Sequence, residues 1–299
     1  VGGGTSDVAS RIKVTDGYKS KGSLNISYVT QLKGTICTYV LSYIIPTWER
    51  DDANNYKYDE SESIEDVAFR GDLDLSTANG TATYWAYTLA NKKVTEKDSN
   101  LYVITTLKEF KTSLKVQDQI LSIDGNSYDT IEEYKAYLQT KKANDIVNVQ
   151  VKRNFKTKDL KVKLHESEGS VMLGVGLQYV KEYDAEPNVD ISFNSSESGP
   201  SGGLITTLEI YNQLTKKDLT KGLKIAGTGT IEPDGTIGQI GGVEHKILGA
   251  ESDKADVFLV PAGDNYKDAK KYKKEKKLKI KLIEVKNIKD ALDKLEELK

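Results

Sequence analysis

Two polar side chains of this chain stand in settings that could support chemistry. Ser201 lies in Gly199-Pro-Ser-Gly-Gly203, directly before a run from Leu204 to Leu214 whose apolar positions recur at helical spacing. The serine is therefore predicted at a helix entrance. There the unpaired N–H groups and the helix dipole would stabilise negative charge that develops near the hydroxyl.

The second polar side chain is Lys246, in the stretch Ile240-Gly-Gly-Val-Glu-His-Lys246. This stretch predicts another helix, on which Lys246 shares one face with Val243, Ile247 and Ala250. Burial disfavours the charged form of a lysine, and a neutral amine can take a proton from a serine. The alternatives are ordinary ones: a helix-capping serine, and a lysine whose charged end reaches water.

The two histidines of the chain, His165 and His245, limit the other mechanisms that a serine could use. A Ser-His-Asp triad would need one of them. His165 ends a charged strand, and His245 stands one residue away from the Lys246 face. A Ser-Lys pair therefore fits the sequence better, and a histidine-dependent esterase stays open as an alternative.

Three segments in this order resemble the proteolytic domain of Lon-type Ser-Lys peptidases: Gly199–Gly203, Ile225-Ala-Gly-Thr-Gly-Thr-Ile231 and Ile240-Gly-Gly-Val-Glu-His-Lys-Ile-Leu248. Within that group the chain resembles the secreted, membrane-anchored, PDZ-containing branch of Gram-positive bacteria, which lacks the ATPase module. The resemblance implies that Ser201 is the nucleophile, that Lys246 is the general base and that the Thr228 hydroxyl orients the lysine. Gly202 departs from the usual Gly-Pro-Ser-Ala-Gly by one methyl group, and Ser198 stands where many relatives have glycine or an acid.

A second resemblance covers Leu114-Lys-Val-Gln-Asp-Gln-Ile-Leu-Ser-Ile-Asp-Gly125, which is similar to the PDZ signature with Gln117 in place of a glycine. An amphipathic helix is predicted over 130–141, and strands over 146–151 and 160–164. PDZ domains bind an extended peptide as an added strand and capture its terminal carboxylate. The resemblance implies a peptide-facing strand at Tyr102, Val103, Ile104 and Thr105. A module that only positions the protease is the alternative.

The mixture of strands and helices predicts an α+β fold. The polar residues from Thr95 to Asn100 indicate a domain boundary. The predicted organisation is a Lon-type proteolytic domain with an inserted PDZ domain, a β-sandwich or barrel with helices. Its three parts are an N-terminal part of the protease domain (1–94), the PDZ domain (95–166) and the catalytic domain (167–299).

The composition of the 299 residues, 37% hydrophobic and 29% charged, is that of a soluble globular protein. The net charge of −2 provides no field that would attract nucleic acid to the whole molecule. The lysines from Lys267 to Lys281 are interrupted by acids and indicate a solvated helix. The acids Asp51, Asp52, Asp59 and Glu60 have no EF-hand spacing, and no phosphate-loop or dinucleotide motif is present. No cofactor and no metal are therefore predicted.

A single cysteine, Cys37, is predicted to be a buried apolar residue in a helix over 32–45 that Pro46 stops.

The resemblance to the Lon-type peptidases implies an upstream anchor and a place on the extracellular face of the cytoplasmic membrane. It also implies that the protein cleaves exported peptides or membrane-associated proteins, and that it can form oligomers. A non-catalytic peptide-binding scaffold is the alternative from another functional class.

Overall fold

A computed structural model describes residues 1–45, 47–58, 62–193 and 199–298. Several residues that the sequence analysis singled out, Pro46, Asp59, Glu60 and Ser198, lie outside the described residues. The chain forms two compact units. The parallel-sheet unit comprises Val1–Asp51, Ala78–Thr95 and Tyr183–Lys299, and the antiparallel-sheet unit comprises Asp52–Thr77 and Glu96–Glu182.

The helices and strands are as follows in chain order. The helices are α1 (Ile36–Ile44), α2 (Ile64–Leu89), α3 (Ile131–Gln139), α4 (Gly203–Thr215), α5 (Val243–Ser252), α6 (Asp264–Lys276) and α7 (Ile288–Glu296), with short 3₁₀ turns at Ala53–Tyr56 and Pro200–Gly202. The strands are β1 (Thr5–Asp7), β2 (Ile12–Val14), β3 (Ser23–Ser27), β4 (Lys93–Thr106), β5 (Gln119–Ile123), β6 (Ile146–Arg153), β7 (Lys156–Lys163), β8 (His165–Ser167), β9 (Ser170–Met172), β10 (Val175–Glu186), β11 (Val189–Ile191), β12 (Lys224–Gly227), β13 (Thr230–Ile231), β14 (Ile237–Gly238), β15 (Val257–Pro261) and β16 (Lys281–Val285).

A five-stranded sheet in the order β1-β3-β12-β15-β16 organises the parallel-sheet unit. β12 pairs in parallel with β3 and with β15, and β15 pairs in parallel with β16, whereas β1 is antiparallel to β3. The central strand β15, Val-Phe-Leu-Val-Pro, is a continuous and fully buried apolar run, as expected where helices cover a parallel sheet. Strands from the start of the chain and from its last third therefore share one sheet.

Helix α4 lies in the core of this unit and is buried from Gly203 to Leu214. Its polar residues find partners in the protein. The Gln213 side chain accepts a hydrogen bond from the Val14 N–H (2.9 Å) and donates one to the Ile12 carbonyl (2.9 Å). Because buried polar groups are costly when unpaired, these bonds explain how a helix with glutamine and asparagine can be fully enclosed.

The antiparallel-sheet unit has a second five-stranded sheet, in the order β10-β4-β5-β6-β7. Helix α3 begins at a capping box in which Thr130 and Glu133 satisfy each other's backbone N–H groups. Gln117, at the position where the signature has glycine, has φ +75°. It therefore adopts the left-handed conformation that explains the usual glycine.

The structure corrects several expectations. The boundary expected at Thr95 to Asn100 is not among them, because the two units divide between Thr95 and Glu96, inside strand β4. Helix α1 begins at Ile36 rather than at Leu32, because Thr35 and Thr38 form a capping box there. Cys37 is exposed rather than buried, since α1 contains no buried residue. Thr228 lies directly after the end of β12. Among the described residues, no helix is long and apolar enough to cross a bilayer.

Candidate active site

Ser201 occupies a 3₁₀ turn, Pro200–Gly202, that leads directly into α4. The backbone of this turn is joined to the segment that follows β12. The Ser201 carbonyl accepts the Gly229 N–H at 2.8 Å, and the Leu204 N–H donates to the Gly229 carbonyl at 3.1 Å. The serine is therefore held at the start of a buried helix, with its side chain half-buried.

Gly203 allows this close approach of α4 to the neighbouring strand. A Cβ atom at Gly203 would lie 2.7 Å from Ile231 Cγ2 and 2.9 Å from the Ile231 backbone nitrogen. Real Cβ contacts are not that short, so a side chain at this position would push the helix away from β13. The glycine after the serine turn thus determines how near the helix start lies to the strand.

Lys246 lies on α5 and only 4% of its surface is exposed. Val243, Ile247 and Ala250 on the same helix face are also buried, as the spacing predicted. Burial lowers the pKa of Lys246 from 10.5 to about 8, because a charged amine is poorly solvated in the interior. A substantial fraction of this lysine is therefore uncharged at neutral to mildly alkaline pH.

Thr228 connects the lysine to the serine turn. Lys246 Nζ donates to Thr228 Oγ1 at 3.1 Å, and Thr228 Oγ1 donates to the Ser201 carbonyl at 3.2 Å. A hydroxyl has one proton, and here that proton is used on the carbonyl. Thr228 can therefore only accept from the amine, and the lone pair of a neutral Lys246 stays available for another proton.

The three predicted residues thus belong to one hydrogen-bonded set, which joins the backbone of Ser201 in the turn before α4 to the side chains of Thr228, after β12, and Lys246 on α5. No direct hydrogen bond joins the Ser201 hydroxyl to Lys246 Nζ within the described part of the chain. The arrangement can orient an amine beside the serine turn and keep it free of solvent. Chemically, this is a setting for a neutral amine to act as a proton acceptor.

Sequence reasoning missed Ile26 on β3, which borders this turn. A methyl group at Gly202 would lie 2.7 Å from Ile26 Cδ1 and 3.3 Å from Ile26 Cγ1. The isoleucine therefore fills the space that the alanine of the usual Gly-Pro-Ser-Ala-Gly motif would need. No local signal could have identified this contact, because the two residues are distant in the sequence.

The histidines are engaged elsewhere. His245 Nε2 lies 3.1 Å from Glu49 Oε2, which joins the segment after α1 to α5. His165 Nε2 lies 3.1 Å from the Lys111 carbonyl, and its ring stacks on Phe110 at 4.6 Å between centroids. These contacts give neither histidine a role at the serine turn.

The peptide-facing strand expected at Tyr102, Val103, Ile104 and Thr105 is a misassignment. These residues lie in β4, which has β10 on one side and β5 on the other. An added strand needs a free edge, so β4 cannot accept a peptide. The edges of this sheet are β10 and β7.

Helix α3 lies beside β10 rather than β7. The Gln139 side chain donates to the Val171 carbonyl (3.0 Å) and accepts the Val171 N–H (3.2 Å), which places α3 next to the strand that directly precedes β10. The Tyr134 and Tyr179 rings, on α3 and β10, are 6.5 Å apart, and the Tyr179 hydroxyl donates to the Tyr128 carbonyl. A cavity of about 410 Å³ opens beside these three tyrosines.

No group of three or more histidine, cysteine, aspartate or glutamate side chains suitable for a metal ion occurs over the described ranges. A hydroxyl and a buried amine are sufficient groups for acyl transfer.

Residues 93–164 match the family model of the PDZ domain, and residues 193–297 match that of the Lon protease (S16) C-terminal proteolytic domain. No curated protein matches the sequence. The matched PDZ residues precede the matched proteolytic residues and do not interrupt them, so the expected insertion is not what the family models show.

Similar solved structures include two PDZ domains of SdrC-like proteins. The one from Listeria monocytogenes shares 26% identity, covers 27% of this chain and 90% of that chain, and has a TM-score of 0.25. The one from Listeria innocua shares 28% identity, covers 26% and 92%, and has a TM-score of 0.24. A solution structure from Geobacillus thermodenitrificans also shares 28% identity, covering 26% and 94% with a TM-score of 0.24. From the family models, the chain carries a region similar to a PDZ domain followed by a region similar to the Lon proteolytic domain.

Proposed function

We propose that this protein is a serine endopeptidase that uses a Ser201–Lys246 dyad and does not require ATP. The observation that supports this most directly is the buried amine of Lys246, bonded to the Thr228 hydroxyl, which is itself bonded to the Ser201 carbonyl. The match to the Lon proteolytic domain gives the reaction class. The Ser201–Lys246 dyad would supply the nucleophile and the base for that reaction.

In this mechanism the neutral Lys246 amine accepts the Ser201 hydroxyl proton as the oxygen attacks the scissile carbonyl carbon. The tetrahedral intermediate then breaks its C–N bond, and Lys246 returns the proton to the leaving amine. A water molecule, deprotonated by the same amine, then attacks the acyl carbon of the acyl-enzyme. The ester C–O bond to Ser201 breaks, Lys246 returns the proton to the Ser201 oxygen and the new carboxylate is released. Thr228 keeps the amine pointed at the serine turn throughout.

Two of the backbone N–H groups that follow Ser201 already have acceptors and cannot bind the oxyanion. The Gly203 N–H donates to the Pro200 carbonyl and the Leu204 N–H donates to the Gly229 carbonyl, so both are occupied. We assign the oxyanion to the N–H groups of Ser201 and Gly202, at the positive end of α4. Losing one such donor typically costs about 3 kcal/mol of transition-state stabilisation.

Substrate C-termini would bind along the free edge of β10 beside α3. Support comes from the PDZ match, the edge position of β10 and the tyrosine-lined cavity. An added strand places alternate side chains toward the domain, where such a cavity can take one of them. This interaction would hold a peptide while a different part of it reaches Ser201.

The substrates we propose are exported peptides or membrane-associated proteins, cleaved on the extracellular face of the cytoplasmic membrane. This part of the proposal rests on the resemblance of the three motifs. Protease-accessibility of the native protein on intact cells tests the location. Comparison of secreted peptides from cells with the wild-type protein and with Ser201→Ala tests the substrate class.

The experiment that tests the activity compares the wild type, Ser201→Ala and Lys246→Met, all shown to be folded by circular dichroism. Cleavage of exported peptides is followed by mass spectrometry, with and without ATP. We expect cleavage by the wild type alone, independent of ATP. Equal cleavage by all three proteins would refute the dyad. Peptide binding without cleavage in every protein would instead identify a scaffold.

A further inference from the structure

Helix α1 presents its apolar residues outward, which is the reverse of a helix that belongs to a core. The only half-buried residues between Ile36 and Ile44 are Thr38 and Ser42, and all the others are exposed. Ile36 is 85% exposed and Ile44 68% exposed. Core-facing helices bury their apolar stripe and expose their polar face. Here the polar face lies toward the protein.

The helix is well formed despite this exposure. Its capping box satisfies the backbone N–H groups of Thr35 and Thr38, which favours a helix that begins at Ile36. The two half-buried hydroxyls are also satisfied, since Thr38 donates to the Thr35 carbonyl (3.0 Å) and Ser42 to the Tyr39 carbonyl (2.6 Å). The apolar face is therefore displayed by a stable local structure.

The chemistry of the face points to lipid. From Gly34 to Trp48 the sequence has no charged residue. With about 100° per residue, the apolar positions from Tyr39 through Ile36 to Leu41 cover roughly 200° of the helix surface. A single packing partner covers a stripe of about 100°. A medium that surrounds the helix can cover the whole arc.

The aromatic residues on α1 and near it suit a membrane interface. Tyr28, Tyr39, Tyr43 and Trp48 are aromatic side chains with a polar atom, a type enriched at headgroup depth. The Tyr39 and Tyr43 hydroxyls bond to each other at 2.9 Å, and the Arg50 guanidinium lies 4.1 Å from the Tyr43 ring centre. The Arg50 charge thus lies beyond the C-terminal end of α1, next to aromatic rings.

We propose that α1 is an interfacial anchor that lies in the surface layer of a lipid bilayer. Nine residues give a helix about 14 Å long, far too short for a hydrocarbon core of about 30 Å, so it would lie along the interface. The charges that flank the uncharged stretch, Lys33, Glu49, Arg50, Asp51 and Asp52, sum to −1 and give no attraction to anionic lipid. Insertion therefore depends on apolar burial, and neutral lipid is sufficient.

The experiment measures co-sedimentation of the full chain with neutral phosphatidylcholine vesicles. The test variant is Val40→Lys/Ile44→Lys, at positions that are 51% and 68% exposed. The matched control is Ile146→Lys/Phe155→Lys, because these apolar residues are 65% and 94% exposed in the other unit. We expect the test variant to bind at least about tenfold more weakly than the wild type. The control should bind like the wild type.

A second readout uses Trp48, which becomes the only tryptophan in a Trp85→Phe background. Its emission should shift to shorter wavelength when vesicles are added, and the shift should persist at high salt. Ser201→Ala should behave like the wild type, which separates this anchor from the proposed peptidase activity. Failure of the wild type to bind, or equal binding by the test variant, would overturn the proposal. So would concentration-dependent self-association that the test variant abolishes, because a second copy would then cover the helix.

Discussion

At the scale of single residues, Lys246 links the proposed chemistry to stability. An amine that must be neutral to act as a base has to be kept out of water, and that burial costs free energy whenever the amine is charged. The lowered pKa of Lys246 reports this cost. Function and stability should therefore respond to the same titration, in a direction that can be stated beforehand.

We expect peptidase activity to rise with pH up to about 8, the pKa of Lys246, and to fall about tenfold per pH unit below it.

The unfolding free energy should also rise between about pH 8 and pH 10.5, because in that window the unfolded chain binds a proton that the folded protein has lost. The total gain is about 3 kcal/mol. Lys246→Met should lack this rise and be more stable than the wild type near neutral pH. Denaturant unfolding across the pH range measures this difference. The same pH dependence of the unfolding free energy in both proteins would contradict the prediction.

Thr228→Val removes the hydroxyl that accepts from Lys246 and donates to Ser201. We expect kcat/KM to fall by about tenfold to a hundredfold and the pH profile to shift, since a buried amine loses its acceptor. Thr83→Val is the matched control, because Thr83 is also buried and donates to a backbone carbonyl, that of Asn79, at 2.9 Å. A loss of stability of about 1 kcal/mol is expected in both, but an altered pH profile only at Thr228. The same profile change in both variants would reduce Thr228 to a structural role.

At the scale of elements, the serine turn depends on how β3 lies against the start of α4. Gly202→Ala places a methyl group against Ile26 Cδ1, the far end of a flexible side chain, so it should cost at most about 1 kcal/mol and lower activity by displacing Ile26. Ile26→Val removes that carbon, so the double variant should recover most of the loss. A double-mutant cycle in stability and in kcat/KM measures the coupling. Additive effects of the two substitutions would show that Ile26 does not determine which side chain position 202 can accommodate.

The proposed peptide edge of β10 begins just after Gly174, whose φ is +74°. A Cβ there would lie 2.9 Å from Phe110 Cβ, whereas Gly169 has φ +75° and an open surrounding. Gly169→Ala therefore measures the cost of the backbone conformation alone, about 1 kcal/mol, and Gly174→Ala adds crowding to it. We expect only Gly174→Ala to weaken binding of peptides with a free C-terminal carboxylate, measured by fluorescence polarisation. Equal loss in both variants would place the binding site elsewhere.

At the scale of the whole molecule, the N-terminal strands complete the sheet that carries the candidate site. β3 lies between β1 and β12, and its Leu24 is fully buried. A fragment of residues 93–299 keeps both family matches but leaves one side of β12 unpaired. We expect it to lose cooperative unfolding and labelling of Ser201 by a fluorophosphonate. In the full chain, Leu24→Ala should cost about 2 to 5 kcal/mol. A fragment that folds and reacts would show that β1 and β3 are dispensable.

The sequence alone determined the features that are encoded locally. The turn before α4, the buried face of α5 with Lys246 and the capped helix α3 follow from helix periodicity, glycines and capping residues within a few positions of each other. These signals are short-range, because they depend on backbone conformation and on which side chains share a face. The motifs also indicated the residues that the structure joins through Thr228.

Only the tertiary structure decided which strand lies at an edge, which side of α1 faces outward and what touches the serine turn. β4 has the composition of a strand whether it lies inside a sheet or at its margin, so Tyr102–Thr105 carried no signal of its two neighbours. Cys37 and the apolar residues around it have the same sequence pattern in a core helix and in an exposed one. Ile26 meets Gly202 through the pairing of β3 with β12. Such contacts depend on packing between distant segments, which local propensity does not specify.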